Sequence, residues 1–158
     1  MLTTNFLSPI GFQFGIIKLP SVGFYAQRCN LPDLSLPEAT QTNPFTDVPV
    51  PGEKLQWGTF SIDFIVDEKM DNYKEVWSWM IGLGFPNDYN QFISGGNLFL
   101  LSDGFLQILT ANNTIAKTIK FKDMFPTSLS AITFASTEND VNYIQATADF
   151  RYTSFTIE

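Results

Sequence analysis

The chain has 158 residues, a single domain's worth, with 44% hydrophobic and 16% charged residues, so it can bury a core and is too apolar to stay disordered. Nine Lys and Arg stand against sixteen Asp and Glu, a net charge of -7, which excludes a protein that grips phosphate backbones through basic clusters. The absence of histidine removes Ser-His and Cys-His nucleophile pairs and most zinc sets, and the single Cys29 cannot form an internal disulfide.

Met1 to Asn5 lacks the basic and long apolar regions of a signal peptide, and no apolar run reaches the roughly 20 residues that span a bilayer. The expectation is a cytoplasmic chain without a membrane segment. Phe12, Phe14 and Ile16 alternate with polar or small residues, as a half-buried strand requires. After Leu19-Pro20-Ser21, Val22 to Cys29 reads as a returning strand, and the short connection predicts an antiparallel hairpin.

From Leu31 to Gly52 the pattern changes, because five of the nine prolines fall there among Ser, Thr and Asn. Proline removes ladder donors, so residues 31–54 are read as an extended arm or edge ribbon rather than a core strand. Leu34, Leu36, Phe45 and Val48 are its apolar residues and its candidate assembly contacts.

Leu55 to Val66 is the longest strand signal, with a phase break at Gly58-Thr59 that suggests a bulge. One helix is predicted over Asn72–Ile81, with Asn72 and Glu75 spaced as a capping box and Gly82 placed to end it. Tyr73, Val76, Trp77, Met80 and Ile81 form its apolar face, which puts Trp77 in the core and leaves Trp79 off the face as a candidate interface residue. Asn87 to Asn97 reads as a surface loop. Strands are predicted over Leu98–Leu101, Phe105–Thr110, Thr118–Phe125, Ala131–Ala135 and Tyr143–Phe155, with turns at Asp103-Gly104, Asn112-Asn113 and Glu138-Asn139-Asp140. Strands in series with one amphipathic helix give a mainly β fold: an antiparallel sandwich or barrel in a single domain, 1–158, with one flanking α-helix.

No residue set carries chemistry convincingly. Asp63, Asp67 and Glu68 could form a paired-acid site, but acids at a strand end before a helix are ordinarily solvated and favour the helix dipole. Glu138, Asn139 and Asp140 lack the spacing of a calcium loop, Gly95-Gly96 has no phosphate-loop context, and Cys29 reads as an inert thiol among aromatics. The reading is a non-enzyme without cofactor or metal.

Several segments in order resemble a known family. Leu19-Pro20, Asn30-Leu31-Pro32, Val50-Pro51-Gly52, the run Phe64-Ile65-Val66-Asp67-Glu68 before a helix with Trp77 and Trp79, then Phe125-Pro126-Thr127-Ser128 and Tyr152 to Ile157 look like the tail completion protein of large contractile-tailed bacteriophages, within the tail-tube superfamily. Asp33 stands where that family often has glycine, and Gly82–Asn97 has no clear counterpart. The resemblance implies a β-barrel-like subunit of a hexameric ring in the virion tail, assembled in the host cytoplasm. Such a ring caps the tail tube at its head-proximal end and meets tube, sheath and neck proteins. Genomic DNA would pass through without specific binding. The tube subunit itself and the baseplate-side initiator remain alternatives within the family. A carbohydrate- or peptide-binding sandwich is the competing class. Within a ring, an acidic subunit would present acidic or neutral residues to the lumen, with Gln27 and Asp47 as candidates.

Overall fold

Burial follows alternation wherever the chain is a true core strand. In the computed structural model, which describes residues 6–84, 87, 90, 100–138 and 142–158, β7 (Phe60–Ile65) buries Phe60, Ile62 and Phe64 and leaves Ser61 and Asp63 facing outward. β10 (Gln145–Arg151) does the same with Ala146, Ala148 and Phe150. These two pair in antiparallel register, Phe60 opposite Phe150 and Phe64 opposite Ala146, so their inward residues share one face.

The remaining main strands are β1 (Phe12–Ile16), β2 (Ala26–Cys29), β8 (Ser102–Leu109), β9 (Ile115–Leu129) and β11 (Ser154–Ile157). Their order is β1-β8-β9-β10-β7-β2, with β11 added on β9, all antiparallel. The first half of β9 pairs with β8 and β11; its second half pairs with β10. The path therefore divides into two four-stranded lobes that share β9. Their inner faces meet through Phe14 and Phe60, with ring centroids 5.0 Å apart, and Phe60 and Phe121, 4.9 Å apart. This is the mainly β sandwich or barrel expected from the patterning.

A bulge makes the division possible. Asp123 has a φ of 55°, in the left-handed region that Asp tolerates better than most residues, and the β8–β9 register shifts beside it. Phe121 and Met124, three apart, consequently both face the core. The Asp123 N–H donates to Asp103 Oδ1 at 3.1 Å, and the Thr153 hydroxyl donates to the Asp123 carboxylate at 3.4 Å.

Several elements differ from expectation. Val22 does not begin a strand; Pro20–Phe24 forms a short helix, α1, with Pro20 at its start, where the missing N–H costs nothing. α1 carries Val22 into the core beside Leu19, and β2 pairs with β7 rather than returning along β1. Leu55–Val66 is not one strand. Gln56–Trp57 is a separate β6, paired with β3 (Leu34–Ser35), and Gly58 binds the Asp33 carbonyl at 2.9 Å between it and β7. Asp103-Gly104 is no turn but lies within β8: a Cβ on Gly104 would stand 2.5 Å from Met124 Sδ, so the glycine makes room for a core side chain. Residues 131–135 form no strand, and neither do Leu100 and Leu101. The Asn112-Asn113 turn is present, with the Thr110 N–H bonded to the Thr114 carbonyl at 2.8 Å. Leu98, Asn139 and Asp140 lie outside the described residues.

The main helix, α2, spans Asp71–Gly84, running through Gly82 rather than ending there. Its buried side is Asn72, Val76, Trp79 and Gly82, which reverses the assignment of its tryptophans. Trp79 is 5% exposed and Trp77 51% exposed. The cause is a buried polar residue. Asn72 donates from Nδ2 to the Ile65 carbonyl at 2.6 Å, and its Oδ1 accepts from the N–H groups of Tyr73 at 2.8 Å and Asp67 at 3.3 Å. Asp67 caps the helix by accepting the Asp71 N–H at 2.7 Å, and Glu75 binds the Ser21 hydroxyl at 3.0 Å instead of closing a capping box. Anchoring Asn72 inward turns the helix so that Trp79 enters the core, 6.2 Å from Phe150, with its indole N–H on the Leu100 carbonyl at 2.9 Å. Trp79, expected off the apolar face as an interface candidate, is therefore a core residue. No helix among the described residues is long and apolar enough to cross a membrane.

Trp79→Ala should destabilise the fold by roughly 3–5 kcal/mol, against about 1 kcal/mol or less for Trp77→Ala. Urea denaturation of the two variants checks this, and equal midpoints would contradict the burial.

Candidate functional site

The carboxylates Asp63, Asp67 and Glu68 are the best catalytic candidates in the sequence, and the structure gives each a structural partner or leaves it at the surface. Asp63 accepts the Thr147 hydroxyl at 2.7 Å across β7 and β10, while Asp67 caps α2. Glu68 is exposed in the turn before that helix. Among the described residues no group of three or more His, Cys, Asp or Glu could hold a metal ion. Cys29 is half-buried, and desolvation pushes its thiol up to about 11, far from a nucleophile's range. Burial also raises the Tyr152 phenol, with Asp33 adding to the rise and Arg151 opposing it. Lys18, lowered by burial, stands 5.2 Å from the centre of the Trp79 ring as a cation–π contact.

What the chain does present is a set of unusual surfaces. The proline-rich stretch is neither core nor structureless. Residues Glu38–Gln41 (β4) and Val48–Pro51 (β5) form a two-stranded ribbon that pairs with no other strand. Its base is held by Gly52, whose N–H reaches the Pro37 carbonyl at 2.7 Å, and by the β3–β6 pair, where Trp57 packs on Phe155 with centroids 4.9 Å apart. Of the arm candidates, Leu34, Leu36 and Val48 are exposed and Phe45, between β4 and β5, is 94% exposed.

The outer face of the β9-β10-β7-β2 lobe is polar. Ser61 and Ser128 both donate to the Asp149 carboxylate, the latter at 2.7 Å, and Thr147 bonds Asp63. Gln27 is the extra residue of a bulge in β2 and accepts from Gln145 on this same face. Asp47 lies on the ribbon, so the two lumen candidates belong to different surfaces. Beside α2, Trp77 with Tyr73, Met80, Ile81 and Leu129 lines an open groove of about 410 Å³. Sequence reasoning had placed Trp77 in the core; the signal it missed was the buried amide of Asn72. Of the loop Gly82–Asn97, only 82–84, 87 and 90 fall within the described residues.

Comparison with known proteins gives likeness of fold alone. No family model matches the chain, and no curated protein matches it. Among solved structures it is similar to the anti-feeding prophage cap, a tube-terminating cap, at 14% identity and a TM-score of 0.72, over 100% of this chain and 94% of that one. It is likewise similar to a chain of the sheath/tube terminator of the extracellular contractile injection system PVC, at 14% identity and a TM-score of 0.71, over 99% of each chain. A chain of the PVC sheath-tube complex follows at 14% identity and a TM-score of 0.68, over 99% of this chain and 93% of that one. The chain thus has the tail-tube type of fold that the ordered motifs implied.

Cys29 should resist alkylation at neutral pH. A raised thiol pKa leaves little thiolate below it, so the iodoacetamide rate should climb about tenfold per pH unit between pH 7 and pH 10. A rate that levels off near pH 8.5 would show an ordinary exposed thiol.

Proposed function

We propose that this chain is a structural protein of a contractile tail, forming a ring at the end of the tail tube, most consistently the head-proximal end. The observation that carries the reading is the end-to-end likeness of fold to a tube-terminating cap, covering the whole of this chain. Two features support it independently. Outward-facing groups chemistry could use are tied into strand-to-strand hydrogen bonds, as in Asp63 and Asp149. The ribbon, with Phe45 and Val48 exposed, suits contact between subunits better than life as a monomer.

In this reading Leu34, Leu36, Phe45 and Val48 are buried by neighbours when six copies close a ring, and Trp77 takes over from Trp79 as the helix contact. The outer face of the β9-β10-β7-β2 lobe, with Gln27, Asp63 and Asp149, faces the bore, where acidic and neutral groups let DNA pass without adhering. Tube and sheath proteins are the axial partners, with neck proteins beyond. A terminator needs one face that matches the last tube ring and another that does not propagate stacking, since a repeating heterologous contact grows into a filament. The tube subunit is the second reading, favoured by the likeness to a chain of a sheath-tube complex.

Self-assembly of the isolated protein tests this. Discrete rings that cap preformed tubes and stop their growth are expected; long tubes on electron micrographs would make it the tube subunit. Replacing residues 38–51 with Asn-Gly, across the Pro37–Gly52 hydrogen bond, should leave a folded monomer that forms no rings. Rings that persist in that variant would show that the ribbon is not the contact.

A further inference from the structure

The β1-β8-β9-β11 lobe carries an outer face unlike the rest of this acidic molecule. Gly15, Phe105, Lys120 and Thr156 lie in one row across its four strands, with Lys122 opposite Ser154 alongside. A Cβ on Gly15 would stand 2.6 Å from Phe105 Cζ, so the ring lies flat over the glycine and is held as an apolar floor on the outside of the sheet. Ile17, 76% exposed, extends that floor, and the whole forms a shallow groove of about 380 Å³. Lys120 is bonded to Glu158 at 2.7 Å, and Lys122 is exposed beside it. The surface is thus apolar at its centre, with Lys122 at one margin beside Asp103 and the Lys120–Glu158 ion pair.

The ribbon has the complementary composition. From Glu38 to Pro51 it carries two acids, Glu38 and Asp47, and no base. Strand register puts Ala39, Gln41, Val48 and Val50 on one of its faces, and Phe45 lies exposed in the connection between the two strands. Its β5 edge cannot add another strand in the usual way, because Pro49 and Pro51 lack the N–H groups that edge pairing needs. On that side the ribbon offers a partner its side chains rather than its backbone, while the β4 edge, Glu38–Gln41, carries no proline.

We propose that the ribbon of one copy of this chain docks on the outer face of the β1-β8-β9-β11 lobe of a second copy, with Phe45 and Val48 on the Phe105–Ile17 floor and Asp47 toward Lys122. This deepens the ring reading and rests on it for the number of copies, while naming the acceptor surface, which that reading leaves open. Opposite charges at the margin set the register, and the apolar centre holds the contact.

The test uses the full chain. Phe45→Cys and Phe105→Cys variants, mixed under mild oxidation, should give an intermolecular disulfide, whereas either variant alone with wild type should not. Lys122→Glu or Asp47→Lys should each weaken self-association about tenfold by sedimentation, and the double exchange should restore most of the loss. Rings that form without the cross-link and ignore both charge changes would overturn the docking face while leaving the ring reading intact. A cross-linked, charge-dependent dimer that never closes into rings would support the docking face and overturn the ring. A wild-type chain that stays monomeric at high concentration would overturn both.

Discussion

A strand of fifteen residues is too long to stay in register with neighbours half its length, and β9 meets that constraint by changing partners midway. Everything else in the fold is arranged around this change. The bulge at Asp123 resets the alternation so that Phe121 and Met124 both face the core, and the two lobes close on each other through Phe60. Asp103 and Thr153, from β8 and the segment before β11, hold the bend by bonding Asp123. Beyond the bend β9 pairs only with β10 among the described strands, and Pro126 sits opposite Phe150 beside a register shift in that pairing.

The second organising element is a polar one. Asn72 is fully buried, yet its amide satisfies three backbone groups at the junction of β7 and α2, which makes its burial inexpensive. That single side chain decides the rotation of the helix, which tryptophan becomes core, and which apolar surface is left outside. The outward hydrogen bonds on β7, β9 and β10 act similarly at lower stakes, aligning strands through Ser61, Asp149 and Ser128 while giving that lobe a smooth polar exterior.

Much of the architecture was legible in the residues. Period-two alternation marked β7 and β10 clearly, Asn112-Asn113 marked its hairpin, and five prolines marked the ribbon as something outside the core. The misreadings share a cause: a local signal overridden by a distant partner. Pro20 serves as readily to start a helix as to stop a strand, and Leu19 and Val22 needed a core that lay elsewhere in the chain. Asp103-Gly104 has turn chemistry, but Met124 needed the space over the glycine. Phe105 read as one more strand residue, because nothing nearby says that Gly15 will lie beneath its ring. Surfaces are harder to read than cores, since alternation tells which residues face outward and not what they will meet there.

The two prolines of β5 have a bearing on the protein before it meets any partner. An exposed two-stranded ribbon with valines and a phenylalanine is the kind of segment that seeds disordered stacking. Pro49 and Pro51 deny that stacking its backbone donors along the β5 edge, so on that side the ribbon can present its side chains without offering a backbone template.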